Sequence, residues 1–515
     1  MKTPKKTTST ALVPRGPRML TAQQLHRLAE VPAVIEWLAN AGIPRTLRSY
    51  SHHVKYFADF VGITKSDEFR ALFSLRSTPS LSAPIHAPPR QVYSRTPNME
   101  VHMMSGWMWI AACTFVAAVC VCAWGQDPPR FVQDRFVVSF WVDPPADANI
   151  EARYKEIADA HFSMVLSGFG ATTAEMIGQQ LELCRKHDMK AVVAWPADLP
   201  ADRLPDGPAC WGYALRDEPA VGDFPALREK TDAIRKARPG KLAYINLFPN
   251  YANAQQLGAK DYDDYVSKYL EQVKPDVLSM DYYPVMKPGE DGRDGYCVNL
   301  EVMRKYSLEK NIPFWNFFNC MPYGPQADPT ESQIRWQVYT SVAYGAKGVL
   351  YFCYYTPSGG EFPKGGAIIA RDGRRTRHYD EAQRLNFALK NLGPVLMKLT
   401  STGVVRIKPE DDGAAVVKKF AGTPIKNITR ASVDPANDYL AGTFKHADGR
   451  RAVFLNNYRH DYAAWPTVEF DAVPEKVVLV SSKTGKEEPL IDASPDMPGL
   501  QIPLDAGEGL LFLLP

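Results

Sequence analysis

Eight short β-rich apolar runs alternate with amphipathic helical stretches between residues 131 and 399, and that rhythm predicts an α/β chain built on a (β/α)8 TIM barrel. Beyond residue 399 the texture changes to alternating strands separated by turn residues, which predicts a small antiparallel β-sandwich over 400–515. An uncharged apolar run at 103–126 predicts a signal or anchor segment ahead of the barrel, and residues 1–98 differ in character from both. With 45% hydrophobic and 23% charged residues, the 515-residue chain has the make-up of a globular protein of two or three domains.

The eight runs fall at 136–141, 162–167, 190–195, 211–216, 241–247, 277–282, 313–318 and 348–354. Helical spacing marks 151–160, 174–187, 224–237, 262–273, 300–310 and 332–344 between them. Thr172 with Glu175, and Thr330 with Gln333, have the spacing of a capping box. Runs that are apolar throughout, such as Ala191-Val192-Val193-Ala194, suit strands covered on both faces. An open doubly wound sheet would also alternate β with α, but eight units favour closure, and no GxGxxG follows the first strand. In the C-terminal part, strands are expected at 439–444, 452–456, 476–481 and 509–514, with a hairpin turn at His446-Ala447-Asp448-Gly449. A carbohydrate-binding role for this module stays open, and Asn427-Ile428-Thr429 is a glycosylation sequon if the chain enters a eukaryotic secretory route.

The apolar run Trp107 to Trp124 ends in Ala123-Trp124-Gly125, where small residues sit at the positions a signal peptidase reads. Either it is cleaved before Gln126 or it stays as a membrane anchor; both readings place the barrel outside the cytoplasm, secreted or periplasmic. Residues 20–62 show two helically spaced segments, with Val34-Ile35-Glu36-Trp37-Leu38 and Tyr56-Phe57-Ala58-Asp59-Phe60, and resemble the core-binding helices of tyrosine recombinases. Residues 77–98 have the Ser, Pro and Arg content of a linker. The expectation is that 1–98 are extraneous and that translation begins near Met99, Met103 or Met104. The formal net charge of +3 hides an asymmetry, because 14 Lys/Arg against 6 Asp/Glu in residues 1–100 leave the remainder mildly acidic. Such a body offers no basic surface for nucleic acid. Of eight cysteines, Cys113, Cys120 and Cys122 lie in the apolar run, and the other five lack CxxC spacing, so no metal or cofactor is expected and buried free thiols are.

Active sites of such barrels form at the C-terminal strand ends, so the polar and aromatic residues closing each run are the candidates. These are Asp143, Trp195, Arg216, Asp217, Glu218, Asn246, Asp281, Tyr282, Tyr283, Asn316, Asn319 and Tyr354. The strongest signal is Trp211-Gly212-Tyr213-Ala214-Leu215-Arg216-Asp217-Glu218-Pro219, an apolar strand delivering two adjacent acids and then a proline. It resembles the fourth strand of clan A glycoside hydrolases, the β-galactosidase-like group, in which an Asn-Glu-Pro sequence supplies the general acid/base. The resemblance implies that Glu218 is the acid and that Asp217 replaces the Asn contacting the sugar 2-hydroxyl. Gly345-Ala346-Lys347-Gly348-Val349-Leu350-Tyr351-Phe352 resembles the eighth strand of the same group. The group's nucleophile is a Glu ending strand seven, whereas Pro313-Phe314-Trp315-Asn316-Phe317-Phe318-Asn319 holds no carboxylate.

Three readings stay open. Asp281, closing Leu278-Ser279-Met280-Asp281, is the second carboxylate, acting as nucleophile or as base on water. Alternatively Asp217 and Glu218 resemble the pair of substrate-assisted hexosaminidases and chitinases, Asp217 orienting the sugar's acetamido group. In the third, the barrel binds glycans without cleaving them. An oligo- or polysaccharide partner fits the aromatic strand ends, since sugar C–H faces stack on aromatic rings, although such rings also fill barrel cores.

Overall fold

The computed structural model describes residues 128–492 and 495–515. The recombinase-like stretch and the apolar run at 103–126 lie outside the described residues. Among those described, no helix is long and apolar enough to cross a membrane.

Eight strands form: β1 (Val137–Phe140), β2 (Met164–Leu166), β3 (Lys190–Ala194), β4 (Cys210–Asp217), β5 (Leu242–Asn246), β6 (Leu278–Asp281), β7 (Phe314–Asn319) and β8 (Gly348–Phe352). They pair in parallel as β2-β3-β4-β5 and β1-β8-β7-β6. Two seams join these halves into a ring. At one, the Leu247 N–H donates to Ser279 O at 2.8 Å. At the other, Ser163 N–H donates to Val138 O at 2.9 Å, and its Oγ accepts from Val138 N–H at 2.8 Å. The arrangement is consistent with the expected barrel.

Helices α1 (Ile150–Asp159), α2 (Ala174–Lys186), α3 (Phe224–Ala237), α4 (Ala254–Leu257), α5 (Tyr262–Gln272), α6 (Arg293–Lys310), α7 (Glu331–Ala343) and α8 (Arg377–Leu396) connect the strands. Between β3 and β4 there is only a 3-10 turn, Ala201–Arg203. The cap of α2 is Thr173, whose side chain accepts from Met176 N–H, one residue beyond the expected box, whereas the Thr330 and Gln333 box of α7 forms as expected. Helix α6 starts well before residue 300, and its first turn presses on Tyr282 at Gly295, where a Cβ would meet the hydroxyl at 2.1 Å.

Val137, Met164, Leu166, Val192, Leu242, Val277, Trp315, Phe317 and Leu350 fill the ring from within. Phe131 closes its lower end against Trp211, ring centroids 5.3 Å apart. Burying each such side chain stabilises the fold by roughly 1.5–3 kcal/mol. The five described cysteines are free thiols, four of them buried.

After α8, a six-stranded antiparallel sheet forms in the order β15-β14-β17-β12-β11-β9, facing a three-stranded sheet β10-β13-β16. Their ranges in chain order are β9 Leu399–Ile407, β10 Ile425–Thr429, β11 Tyr439–His446, β12 Arg451–Asn457, β13 Thr467–Phe470, β14 Val478–Val480, β15 Glu487–Pro489, β16 Leu500–Gln501 and β17 Gly509–Leu514. Helix α9 (Gly413–Lys419) follows β9. Strand alternation gives the large sheet two apolar faces. Ala441, Val453, Leu455 and Phe512 turn to the inter-sheet core, while Leu440, Phe454, Leu511 and Leu513 join the barrel's outer core.

Helix α7 lies against that second face, which is why Trp336, Val338, Tyr339 and Val342 are all buried. Asn456 Nδ2 donates to Thr340 Oγ1 at 3.2 Å across the contact. Gly442 on β11 makes the approach possible, since a Cβ there would meet the Ala343 carbonyl oxygen at 2.1 Å. Gly442→Val should therefore cost about 1–3 kcal/mol of stability by overpacking. A melting temperature equal to that of the parent chain would refute this account of the junction.

Candidate active site

The upper end of β4 is shaped by a bulge. Ala214 pairs with Tyr244 and Arg216 with Ile245, so Leu215 is an inserted residue. In a strand of period two, the insertion reverses which face later residues take, and it brings Asp217 inward, level with Asn246. Glu218 follows in the left-handed region, φ +45°, a conformation costly for a residue with a side chain. It is held there by its N–H donating to Asn246 O at 2.9 Å. The Tyr265 hydroxyl, donating to Pro219 O at 2.7 Å, secures the next residue.

Strands β5 and β6 supply the remaining pieces. Asn246 Nδ2 donates to Asp217 Oδ1 at 3.1 Å and to Asp281 Oδ1 at 3.0 Å. Two oxygens sharing one nitrogen at these distances lie no more than about 6 Å apart, close enough for each charge to raise the proton affinity of the other. Asp281 is buried; Asp217 is open to solvent through the mouth yet ringed by protein.

Crowding and desolvation raise all three carboxyls. Glu218 is pushed far above the carboxylate range by burial, then by the charges of Asp281 and Asp217. Asp281 is raised by burial and by Asp217, against hydrogen bonds from Asn246 and the Tyr283 side chain. Asp217 is raised by burial, opposed by Asn246 and by the Arg216 charge. A neutral carboxyl beside ionised ones is a proton donor.

Around these acids stand aromatic rings. Tyr283 lies 5.7 Å from Tyr323 and 5.2 Å from Phe352. Trp141, packed in the same cluster as Tyr283 and Tyr323, lies 5.5 Å from the exposed Phe169. The charges of Asp281 and Glu218 reach Tyr251 and Tyr323, whose hydroxyls are raised first by burial. The sequence reading missed Tyr251, Tyr323, Trp141 and Ser279. Trp141 closes the first apolar run and was within its reach, but Tyr251 and Tyr323 sit on loops with no periodic signal.

Thus Asp217, Glu218, Asn246, Asp281 and Tyr283 come together, with Arg216 exposed beside them. The other candidates do not join the acids, because their side chains turn outward or into loops. Trp195 donates from Nε1 to Leu199 O at 2.9 Å and lies 5.6 Å from the Lys230 ammonium of α3. Asn316 donates to Tyr296 OH at 2.7 Å and Ser341 Oγ at 3.1 Å, in the layer between β7 and the helices. Asn319 binds Val285 and Ala327 backbone atoms. Tyr282 packs between Tyr251 and Tyr296. Tyr354 stacks on Phe140 at 4.6 Å. Asp143 is a loop anchor: Oδ1 accepts from the N–H groups of Gly168, Phe169 and Gly170, and Oδ2 from Ala171. Among the described residues, no group of three or more His, Cys, Asp or Glu is arranged to hold a metal.

A family model for glycoside hydrolase family 42, described as Beta-galactosidase, matches residues 224–392. The match runs from α3 into α8, so it takes in Asn246 and Asp281 and begins just past Glu218. The resemblance to β-galactosidase-like glycoside hydrolases is thereby met over this segment. A comparison with curated proteins finds no match. Among solved structures, a catalytic mutant of a GH42 beta-galactosidase from G. stearothermophilus aligns with a TM-score of 0.49 at 10% identity, covering 76% of this chain and 100% of that one. A beta-galactosidase from Bacillus circulans sp. alkalophilus aligns with a TM-score of 0.48 at 10% identity, covering 76% and 100%. One from the psychrophilic Marinomonas ef1 gives a TM-score of 0.39 at 11% identity, covering 50% of this chain and 60% of that one.

Asp143→Ala strips four backbone N–H groups of their acceptor, and each buried donor left unsatisfied costs about 1–3 kcal/mol. The expected outcome is a lowered melting temperature with faster proteolysis at 168–171, and an unchanged cleavage pattern there would contradict the anchoring role.

Proposed function

We propose that the chain is a glycoside hydrolase that cleaves O-glycosidic bonds of an oligo- or polysaccharide, with Glu218 as general acid and Asp281 as nucleophile or base. The observation that carries this reading is the convergence of three carboxyls at the C-terminal mouth of the ring, with the most raised of them, Glu218, beside the other two. An oxocarbenium-like transition state needs a proton donor on one side and negative charge on the other, and this arrangement supplies both. The family 42 match supports galactosides as first substrates to try. A second reading is favoured by the bulge that faces Asp217 into the ring beside Glu218: Asp217 orients a substrate acetamido group, which then attacks in place of a protein nucleophile. In both readings residues 131–399 carry the chemistry, 400–515 support it, and 103–126 act as a signal or anchor that delivers the protein outside the cytoplasm.

Glu218→Gln should lower kcat/KM on aryl galactosides or N-acetylglucosaminides by about 10²–10⁴-fold, the weight of one positioned proton donor. Turnover equal to the parent's would remove the mechanism. A parent chain that binds glycans but cleaves none would leave a binding protein. The pH profile follows from the raised carboxyls: activity falls as pH drops through the value of Asp281, which must be ionised, and as it rises through the higher value of Glu218, which must be protonated. The optimum therefore lies above the ordinary carboxylate range. By linkage, a carboxyl raised in the fold costs stability as pH climbs past its unfolded value, so Glu218→Gln should raise the melting temperature at alkaline pH and have little effect in acid. An inactive variant without that alkaline gain would refute the desolvation account.

A further inference from the structure

Beneath the acids runs a chain of hydrogen bonds that the proposed reaction does not use. The Tyr244 hydroxyl lies 2.9 Å from Ser279 Oγ, and Ser279 Oγ donates to Asn246 Oδ1 at 3.0 Å. With its oxygen occupied, the Asn246 amide has its two N–H bonds left, and both are spent on carboxylates, one on Asp217 and one on Asp281. A carboxylate accepts such a bond best when ionised. We propose that Asn246, oriented by Ser279 and Tyr244, is a positioning residue that keeps Asp217 and Asp281 ionised and so leaves the proton of the three-acid cluster on Glu218.

The proposal rests on the hydrolase reading for its purpose but not for its test. Burial raises Asp217 and Asp281, and the Asn246 amide opposes burial in both; Glu218 receives no such donor. The other groups facing the cluster do not compete for that proton. Arg216 on β4 is the cation beside Asp217. Tyr244 on β5, Tyr251 after β5, Tyr262 on α5, Tyr265 on α5, Tyr283 after β6 and Tyr323 after β7 are all raised by burial first, and so stay neutral through the carboxylate range.

The test is carbodiimide-driven labelling of carboxyls with glycine ethyl ester on the full chain, read residue by residue by peptide mass spectrometry from about pH 4 to about pH 9, the span over which ordinary and raised carboxyls titrate. In Asn246→Ala the labelling midpoints of Asp217 and Asp281 should rise by about one pH unit, a tenfold gain in proton affinity. The midpoint of Glu218 should fall, since protonated neighbours no longer repel its charge. Ser279→Ala and Tyr244→Phe, which leave the amide in place but unsteered, should move all three in the same directions by less. Asp143, outside the cluster, reports whether each variant is folded. Midpoints that stay put, or that all rise together, in variants with native Asp143 labelling overturn the proposal. Should Asn246→Ala fail to fold, the two milder variants decide by the same criterion. A parent chain that cleaves no glycoside while its midpoints follow this pattern removes the hydrolase reading alone.

Discussion

Negative charges crowded together at the half-buried mouth of a barrel repel strongly, and the upper half of the ring is organised around that repulsion. Three carboxyls arrive from two strands that are not neighbours, β4 and β6, with β5 between them offering an amide to both sides. The backbone is bent to the same end. A residue is inserted in β4, and Glu218 is held in a conformation that side chains avoid, pinned through its own N–H to Asn246. The left-handed conformation of Glu218 costs stability, as is common where structure is spent on chemistry, while the inserted Leu215 still packs against the barrel's outer core.

The large elements were legible because periodicity is a statement about burial. Each of the eight apolar runs overlaps a strand, and the run at 211–216 led directly to Asp217 and Glu218 because a proline follows the acids. The turn at His446-Ala447-Asp448-Gly449 forms with Gly449 at φ +98°, a geometry few other residues adopt comfortably.

Facing was harder to read than existence. A strand end names a handful of polar residues, but which of two faces each takes depends on register. Asn316 and Tyr354 lie in apolar runs just as Asp281 does, yet they point to the helices, Asn316 to Tyr296 and Tyr354 to Glu156. The inserted Leu215 carries no mark of a bulge, and an unbroken period of two would have turned Asp217 away from Asn246, so its inward facing was expected from resemblance and not from the strand's own alternation. Asp143 misled for a different reason: four donors from a loop some 25 residues later satisfy it, a long-range partnership invisible in any local window.

The central strands β11, β12 and β17 of the sheet that sits on α7 have no wet face. One side closes the sandwich and the other completes the barrel's outer shell, with glycine at the point of nearest approach. A ring ending at α8 would present Trp336, Tyr339 and Val342 to water as one adhesive strip, and a sandwich on its own would show Leu440, Phe454 and Leu511. Neither half is a free-standing cassette, so recombination in this lineage would have to shuffle them as one heritable block.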